Sequence, residues 1–459
     1  MERIMRKNFS LTSTLQVSLL LFGFFFGAGN LIFPPLMGKM AGTEFLPAIS
    51  GFAITAVLCP VLGIFSVAKM DGMDNLAKQV DKYFGLLFPL VICLAIGPGL
   101  GIPRAGSVPF VMALEPLLPP EVSLPAARAL YTVVFFAIAF WLCISPGKIV
   151  RRVGKFITPL LLLLICSLFF STWLKFPFRQ GLAQGPYAGA SFLTGVLEGY
   201  NTMDALAALN FGFAITIAIK SLNLKDGRQN GRFYTYAAAV IAGTFLLIVY
   251  GMLTYIGVTT ADLFPTTKNG AEILRSAAAI SLGKFGYALM LSVFSLACLT
   301  TCIGLIVSLS DYFSKICPYF TYKKMVTIIC VISCLLANFG LDAILKFSLP
   351  TLFIMSPVSV VLILLGIGER FYRGRRIVFS LTVYVCLLFS FIDVFNKAPW
   401  IPALLRDFMN LLPLSEFKLA WLVPTLLAFG LSFIGDKLYL CRRCRTAGAL
   451  DVSEKMKTE

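Results

Sequence analysis

Histidine is absent from all 459 residues. Its absence removes the commonest general base and metal ligand, and with them membrane haem proteins and copper oxidases. Acidic side chains are scarce, 22 against 39 Lys and Arg, and charged residues make up 13% of the chain. That is about half the share of a soluble globular protein. No GxxxxGK[ST] phosphate loop occurs, which argues against ATP-driven pumping by this chain. There is no soluble domain: the longest stretches assigned to the outside, 258–284 and 396–416, are short. The net charge of +17 sits in short segments between apolar runs, so no nucleic-acid partner is expected. The twelve cysteines lie almost entirely inside apolar runs, apart from Cys317, Cys441 and Cys444 near basic segments. A disulfide framework is not expected. Cys441 and Cys444 have the spacing of half a metal site but no second pair, and read as free thiols.

What is abundant is apolar sequence, 58% of the chain, with a mean hydropathy of +0.87. Twelve runs stand out, at 14–37, 45–68, 84–114, 130–145, 156–174, 188–219, 234–257, 285–314, 325–338, 343–367, 377–394 and 417–440. A helix needs about 20 such residues to cross a bilayer, so the expectation is an all-α integral membrane protein of about twelve spans. The basic start of the chain mimics a secretory signal, but the apolar run after it is too long and many spans follow. Most Lys and Arg fall on alternate sides of successive runs, as in Arg3 and Arg6, Lys78 and Lys82, Arg151 and Arg152. The positive-inside rule then places both termini in the cytoplasm, with 446–459 a polar, disordered tail.

Two runs are interrupted. In LQVSLLLFGFFFGAGNLIFPP (15–35), Gly27-Ala28-Gly29-Asn30 sits near the middle, a poor way to continue a helix. The sixth run carries Glu198-Gly-Tyr-Asn-Thr-Met-Asp204 at its centre. Freed backbone is tolerated at membrane depth only where protein or a cavity receives it. Broken first and sixth spans suggest two five-helix repeats of opposite orientation, 14–174 and 188–367, with 377–440 as two additional helices, all in one transporter domain. Half-helix N-termini at the breaks suit a carboxylate and exposed carbonyls suit a cation. A substrate bearing both a carboxylate and an ammonium, an amino acid, would engage both. In the eighth run, the Ala297 carbonyl and the Thr300 and Thr301 hydroxyls share one helical face and suit a small cation; alternatively, the hydroxyls bond back one turn.

Three ionisable groups fall near mid-span, Arg104, Glu198 and Asp204. Such groups face cavities or pair with one another. Asp204 reads as a cap on the second half-helix, or as an ammonium or cation-coupling group. Glu198 is a gate or a protonatable site, and Arg104, after the helix disruptor Pro103, has either carboxylate as a partner. The acidic pair Asp71 and Asp74 would suit a Mg²⁺-dependent lipid enzyme, but its basic neighbours make it a solvated loop, so no enzyme is expected.

The segments GAGNLIFPP (27–35), GPGLGIPR (97–104), SPGK (145–148), GYNTMD (199–204), GAEIL (270–274), ANFGL (337–341) and LAWLVPT (419–425) resemble the bacterial branched-chain amino acid:cation symporters, the BrnQ-type or LIVCS family. The likeness covers nearly the whole chain in order. It implies the five-plus-five inverted-repeat fold of the bacterial leucine transporter, in the amino acid–polyamine–organocation superfamily. It also implies import of leucine, isoleucine and valine across the inner membrane with Na⁺ or H⁺, without another cofactor or an obligatory protein partner. On that resemblance, backbone around Ala28, Gly29 and Asn30, with Gly199, Tyr200, Asn201 and Thr202, holds the substrate's polar groups. The carbonyls of Gly23, Phe26 and Ala297 and the hydroxyls of Thr300 and Thr301 form a Na⁺ site. Phe25, Tyr200 and Met203 are walls for an aliphatic side chain or core packing. A channel or a transporter-like sensor on the same fold is the alternative function.

Overall fold

Backbone inside a bilayer has no water to bond, so a crossing segment must satisfy its own N–H and C=O groups. The computed structural model describes residues 11–221, 228–267, 269–317, 319–339, 341–372, 375–396, 398–399 and 401–435, and its regular structure there is helical. Arg3 and Arg6, the Cys441–Cys444 pair and the tail at 446–459 lie outside the described residues. In chain order the α-helices are α1 (Leu11–Phe25), α2 (Ala28–Ala41), α3 (Phe45–Ala53), α4 (Cys59–Lys69), α5 (Met73–Ala77), α6 (Phe84–Leu94), α7 (Gly101–Pro109), α8 (Leu124–Cys143) and α9 (Thr158–Lys175). There follow α10 (Tyr187–Asn201), α11 (Asp204–Ser221), α12 (Arg228–Thr259), α13 (Gly270–Leu282), α14 (Lys284–Ile316), α15 (Tyr322–Ala337), α16 (Leu341–Tyr372), α17 (Arg376–Val394) and α18 (Ala403–Leu411). A last apolar helix, α19, runs Leu422–Gly435. Among the described residues, eight helical stretches are long and apolar enough to cross a membrane, and α1 and α19 are shorter apolar helices.

The chain divides into two compact units, Met1–Met73 with Leu90–Leu352, and Asp74–Pro89 with Phe353–Glu459. In the first unit α14 is the hub. Its 33 residues span about 50 Å at 1.5 Å per residue, and it packs against α1, α7, α8, α9, α11, α13 and α15. Close crossings depend on glycine, because apolar helices in lipid gain by packing backbone on backbone. On α10, Gly195 and Gly199 are one turn apart and face α3. A Cβ on Gly195 would lie 2.0 Å from the Ala48 carbonyl oxygen, and one on Gly199 would lie 2.5 Å from that of Phe52. At the end of α2, buried Lys39 donates to the carbonyls of Phe264 (2.8 Å), Pro265 (3.1 Å) and Thr267 (2.8 Å), which ties the helix to the turn before α13.

The second unit has its own small core of Ile392, Met409 and Ala420, packed against Phe389, Leu405 and Leu412. Asp81 caps α6, accepting from the N–H groups of Tyr83 (2.7 Å) and Phe84 (2.9 Å). The Tyr384 hydroxyl, with the Phe84 N–H, holds its carboxyl below the usual Asp range.

Three expectations need correction. The stretches 258–284 and 396–416 are not plain loops but carry α13 and α18. The signal for α13 is a capping pair: Asn269 accepts the Glu272 N–H (2.9 Å), while its amide donates to the Glu272 carboxylate (3.0 Å). Pro103 does not disrupt a helix; it sits in the first turn of α7, where the missing N–H has no intrahelical acceptor to serve.

Candidate functional site

The first break is short. Phe26 closes α1 with a 2.8 Å bond to the Phe22 carbonyl, and Gly27 then turns extended, with φ −111° and ψ −162°. The Asn30 side chain bends back to accept the Gly27 N–H at 3.1 Å, so α2 carries its own N-terminal cap. Pro34 and Pro35 lie inside α2 and offer no N–H to the carbonyls one turn earlier, those of Asn30 and Leu31.

The second break works differently. Tyr200 and Gly199 receive the N–H groups of Met203 (3.1 Å) and Thr202 (3.3 Å), which tightens the last turn of α10. Met203 then takes a left-handed φ of +63° without being glycine, a conformation that costs on the order of 1–2 kcal/mol. Asp204 follows as the first residue of α11 and is only 5% exposed. A buried carboxylate needs partners, and it finds them across the molecule. The Asn30 amide donates to Asp204 Oδ2 at 2.6 Å and to the Tyr250 hydroxyl at 2.5 Å, and that hydroxyl lies 3.5 Å from the same carboxylate oxygen. Asn30 and Tyr250 are 3% and 0% exposed. Asn30 is therefore bonded to both breaks at once.

A third interruption lies between α6 and α7. Residues Ala95–Gly99 form a π-helical turn in which Gly97 leaves helical geometry, with ψ −118°. The chain restarts at Gly101, and Arg104 lies one turn into α7. Its guanidinium Nη2 is 3.8 Å from where a Cβ on Gly29 would begin. Arg104 pairs with neither Glu198 nor Asp204; Glu198 instead bonds the Asn201 side chain on its own helix.

These three interruptions meet on one cavity of about 100 Å³, room for several waters at roughly 10–15 Å³ each. Ala28, Gly29, Asn30, Arg104, Thr202 and Asp204 line it, as do Phe25 and Met203. Glu198, Gly199, Tyr200 and Asn201 are not among the lining residues, and Gly199 is instead pressed onto α3. Apart from Cys298 and Thr301, the rest of the wall is apolar, with Phe24, Ile96, Leu206, Phe211 and Leu305. A larger cavity of about 370 Å³ in the second unit is lined between Val361 and Phe433 without one charged side chain. Its hydroxyls, those of Tyr372, Thr382 and Thr425, donate to the backbone carbonyls of Leu365, Val378 and Trp421.

Beside the first cavity lies an oxygen cluster. The Thr301 hydroxyl, which also lines the cavity, is 3.5 Å from the Gly23 carbonyl oxygen. Two oxygens at that separation match the edge of a cage with bonds of about 2.3–2.6 Å, the range for a calcium-sized cation. A Cβ on Gly27 would fall 2.9 Å from that hydroxyl, and one on Gly23 would fall 2.6 Å from Thr158 Oγ1. Thr300 bonds back to the carbonyls of Ala297 (2.9 Å) and Leu296 (3.1 Å) on its own helix, so of the two hydroxyls it is that of Thr301 that reaches an α1 carbonyl. Phe26 turns its ring into a stack between Phe22 and Tyr250. Thr158 Oγ1 is buried and has no hydrogen-bond partner among the described residues. A neutral oxygen left unsatisfied beside the Gly23 backbone fits an alkali cation in chemistry.

The model of the branched-chain amino acid transport protein family matches residues 10–439. The chain belongs to that family. It is 36% identical to the branched-chain amino acid permease BrnQ of Bacillus subtilis over 428 residues, 92% of this chain and 96% of that one. It is 35% identical, with the same coverage of 92% and 96%, to the branched-chain amino acid transport system 2 carrier protein of Pseudomonas aeruginosa. Among solved structures it matches Mhp1, a nucleobase-cation-symport-1 family transporter in a closed conformation with bromovinylhydantoin bound. The TM-score is 0.58 at 12% identity, over 94% of this chain and 93% of that one. That likeness shows the fold alone, a leucine-transporter-like one. The family is one of transport proteins rather than enzymes, and this member is a multi-pass membrane protein.

Sequence reasoning missed Tyr250, Thr158 and the α6–α7 interruption. Gly97-Pro-Gly99 was a legible signal for the last. Tyr250 and Thr158 carry none, being single polar atoms whose partners lie on other helices.

Proposed function

We propose that the chain is a secondary active symporter that carries leucine, isoleucine and valine into a bacterial cytoplasm, coupled to Na⁺ or H⁺. One observation carries the reading: a mostly apolar cavity in which the polar groups Asn30, Arg104, Thr202 and Asp204 come from three helix interruptions and Thr301 from α14. Helix ends there offer both polarities to an amino acid's head group, while Phe24, Phe25, Leu206, Phe211 and Leu305 suit a branched aliphatic side chain. The relatives' names, permeases and carriers of branched-chain amino acids, bring the substrate class.

Within this reading Ala28, Gly29, Asn30 and Thr202 hold the head group. Gly23, Phe26, Ala297, Thr300 and Thr301, with Thr158, hold the cation if it is Na⁺. Asp204 carries the coupling proton if it is H⁺. Alternating access comes from one helix bundle rocking against a scaffold around the cavity; the repeats are 14–174 and 188–367, 377–440 adds two helices to give twelve spans, and both termini face the cytoplasm.

The test is labelled leucine uptake into proteoliposomes under an inward Na⁺ gradient and, separately, an inward proton gradient. Accumulation under one of them, blocked by excess isoleucine and valine, is expected. Downhill flux indifferent to both gradients would make the protein a channel. No uptake by folded protein would overturn the substrate class.

A further inference from the structure

A guanidinium inside a membrane protein is costly unless an anion meets it. Arg104 lines the cavity, yet among the described residues no carboxylate pairs with it. Asp204, which lines the same cavity, accepts at Oδ2 from the Asn30 amide and the Tyr250 hydroxyl. Glu198 lies off the cavity and bonds Asn201. Cys298 lines the same cavity, and a thiol supplies no fixed charge. The α7 helix is held by the Arg104 N–H bonding the Leu100 carbonyl at 2.9 Å, so the side chain starts from a fixed first turn. Gly29 leaves the way to it open: a side chain there would begin 3.8 Å from Nη2 and 3.4 Å from the Phe33 ring.

We propose that Arg104 is the anchor for the carboxylate of the transported amino acid, an assignment that rests on the cavity being the substrate site. Its planar fork matches a carboxylate with two parallel N–H···O bonds, and the incoming anion replaces the partner that the protein itself does not provide. The anion requirement also makes the site select amino acids over the corresponding amines and amides. Lysine at this position supplies the charge without the fork.

Thermal-shift titrations of the purified protein with leucine and with leucinamide, which has the same side chain and ammonium but no carboxylate, test this. The wild type is expected to bind leucine at least about 100-fold more tightly than leucinamide, the scale of one or two charge-assisted hydrogen bonds. In Arg104→Gln the two ligands are expected to bind within a few-fold of each other, and Arg104→Lys keeps part of the preference. Folded Arg104→Gln that still prefers leucine by the wild-type factor would overturn the assignment. A second measurement needs no variant: modification of Arg104 by phenylglyoxal in the wild type, read by mass spectrometry. Leucine should slow it and leucinamide should not; equal slowing, or none by bound leucine, would also overturn the assignment. Wild type that binds no leucine at all would instead remove the substrate reading on which the proposal rests.

Discussion

The two helix breaks that share Asn30 are built by opposite means. At the first, glycine turns extended at Gly27 and a side chain three residues on caps the new helix. At the second, Met203 is forced into a left-handed turn and a carboxylate, Asp204, opens the new helix. The first break is relaxed in backbone and crowded in space: Gly27 has Thr301 Oγ1 where its side chain would be. The second is strained in backbone; both breaks line the cavity, the first through Gly27 to Asn30 and the second through Thr202 to Asp204. A break can thus be set by what no side chain may occupy, or by a strained residue held in place by its neighbours.

Exchanging the two solutions gives the largest expected contrast. Gly27→Ala places a carbon 2.9 Å from the Thr301 hydroxyl and should reduce leucine uptake to background while the protein still inserts. Met203→Gly should keep uptake and leave thermal stability unchanged or higher, by up to about 1 kcal/mol, because glycine accepts a positive φ without strain. A destabilised Met203→Gly, or an active Gly27→Ala, would erase the distinction.

Next in size is the link between the breaks. Asn30→Ala leaves the buried Asp204 carboxylate without its 2.6 Å donor and should destabilise the protein by on the order of 2–3 kcal/mol, seen as a lower melting temperature. Tyr250→Phe, which removes the acceptor of the 2.5 Å Asn30 bond and the 3.5 Å contact with Asp204, should cost about 1–2 kcal/mol. The cation cluster belongs to the first break only. Under Na⁺ coupling, Thr301→Ala should raise the Na⁺ concentration for half-maximal uptake about tenfold, equivalent to 1.4 kcal/mol, and Thr158→Val by a smaller factor. Unchanged Na⁺ activation in both would remove the site. The smallest effect is expected at Glu198→Gln, within about twofold of wild-type uptake, because Glu198 is near the second break but off the cavity.

The same contrast explains how far the sequence could be read. The first break announced itself in Gly27-Ala-Gly-Asn30, because composition shows where a helix cannot easily continue. The second was visible through Glu198 and Asp204 as polarity out of place, but polarity does not say which way a side chain turns. Asp204 joins the cavity, whereas Glu198 stays with Asn201, and Gly199 serves the α3 crossing. Asn30 was legible as part of the break; its bonds to Asp204 and Tyr250 span 174 and 220 residues, a separation over which local pattern carries no information. That the chain is built of apolar membrane-crossing helices was readable from hydropathy, eight such stretches being long enough among the described residues, and α13 escaped because its capping pair is a local signal in a stretch that hydropathy treats as loop.

The central claim is that the cavity at the meeting of the breaks holds the substrate. On α11, Asp204, Ala207 and Phe211 all line it, at the i, i+3, i+7 spacing of one helical face. Ala207→Phe should fill the space while leaving the Asn30–Asp204–Tyr250 bonds in place. Direct binding of labelled leucine to the purified variant, alongside its melting temperature, is the decisive measurement. Lost binding with unchanged thermal stability is the result this account predicts; leucine bound with wild-type affinity would contradict it.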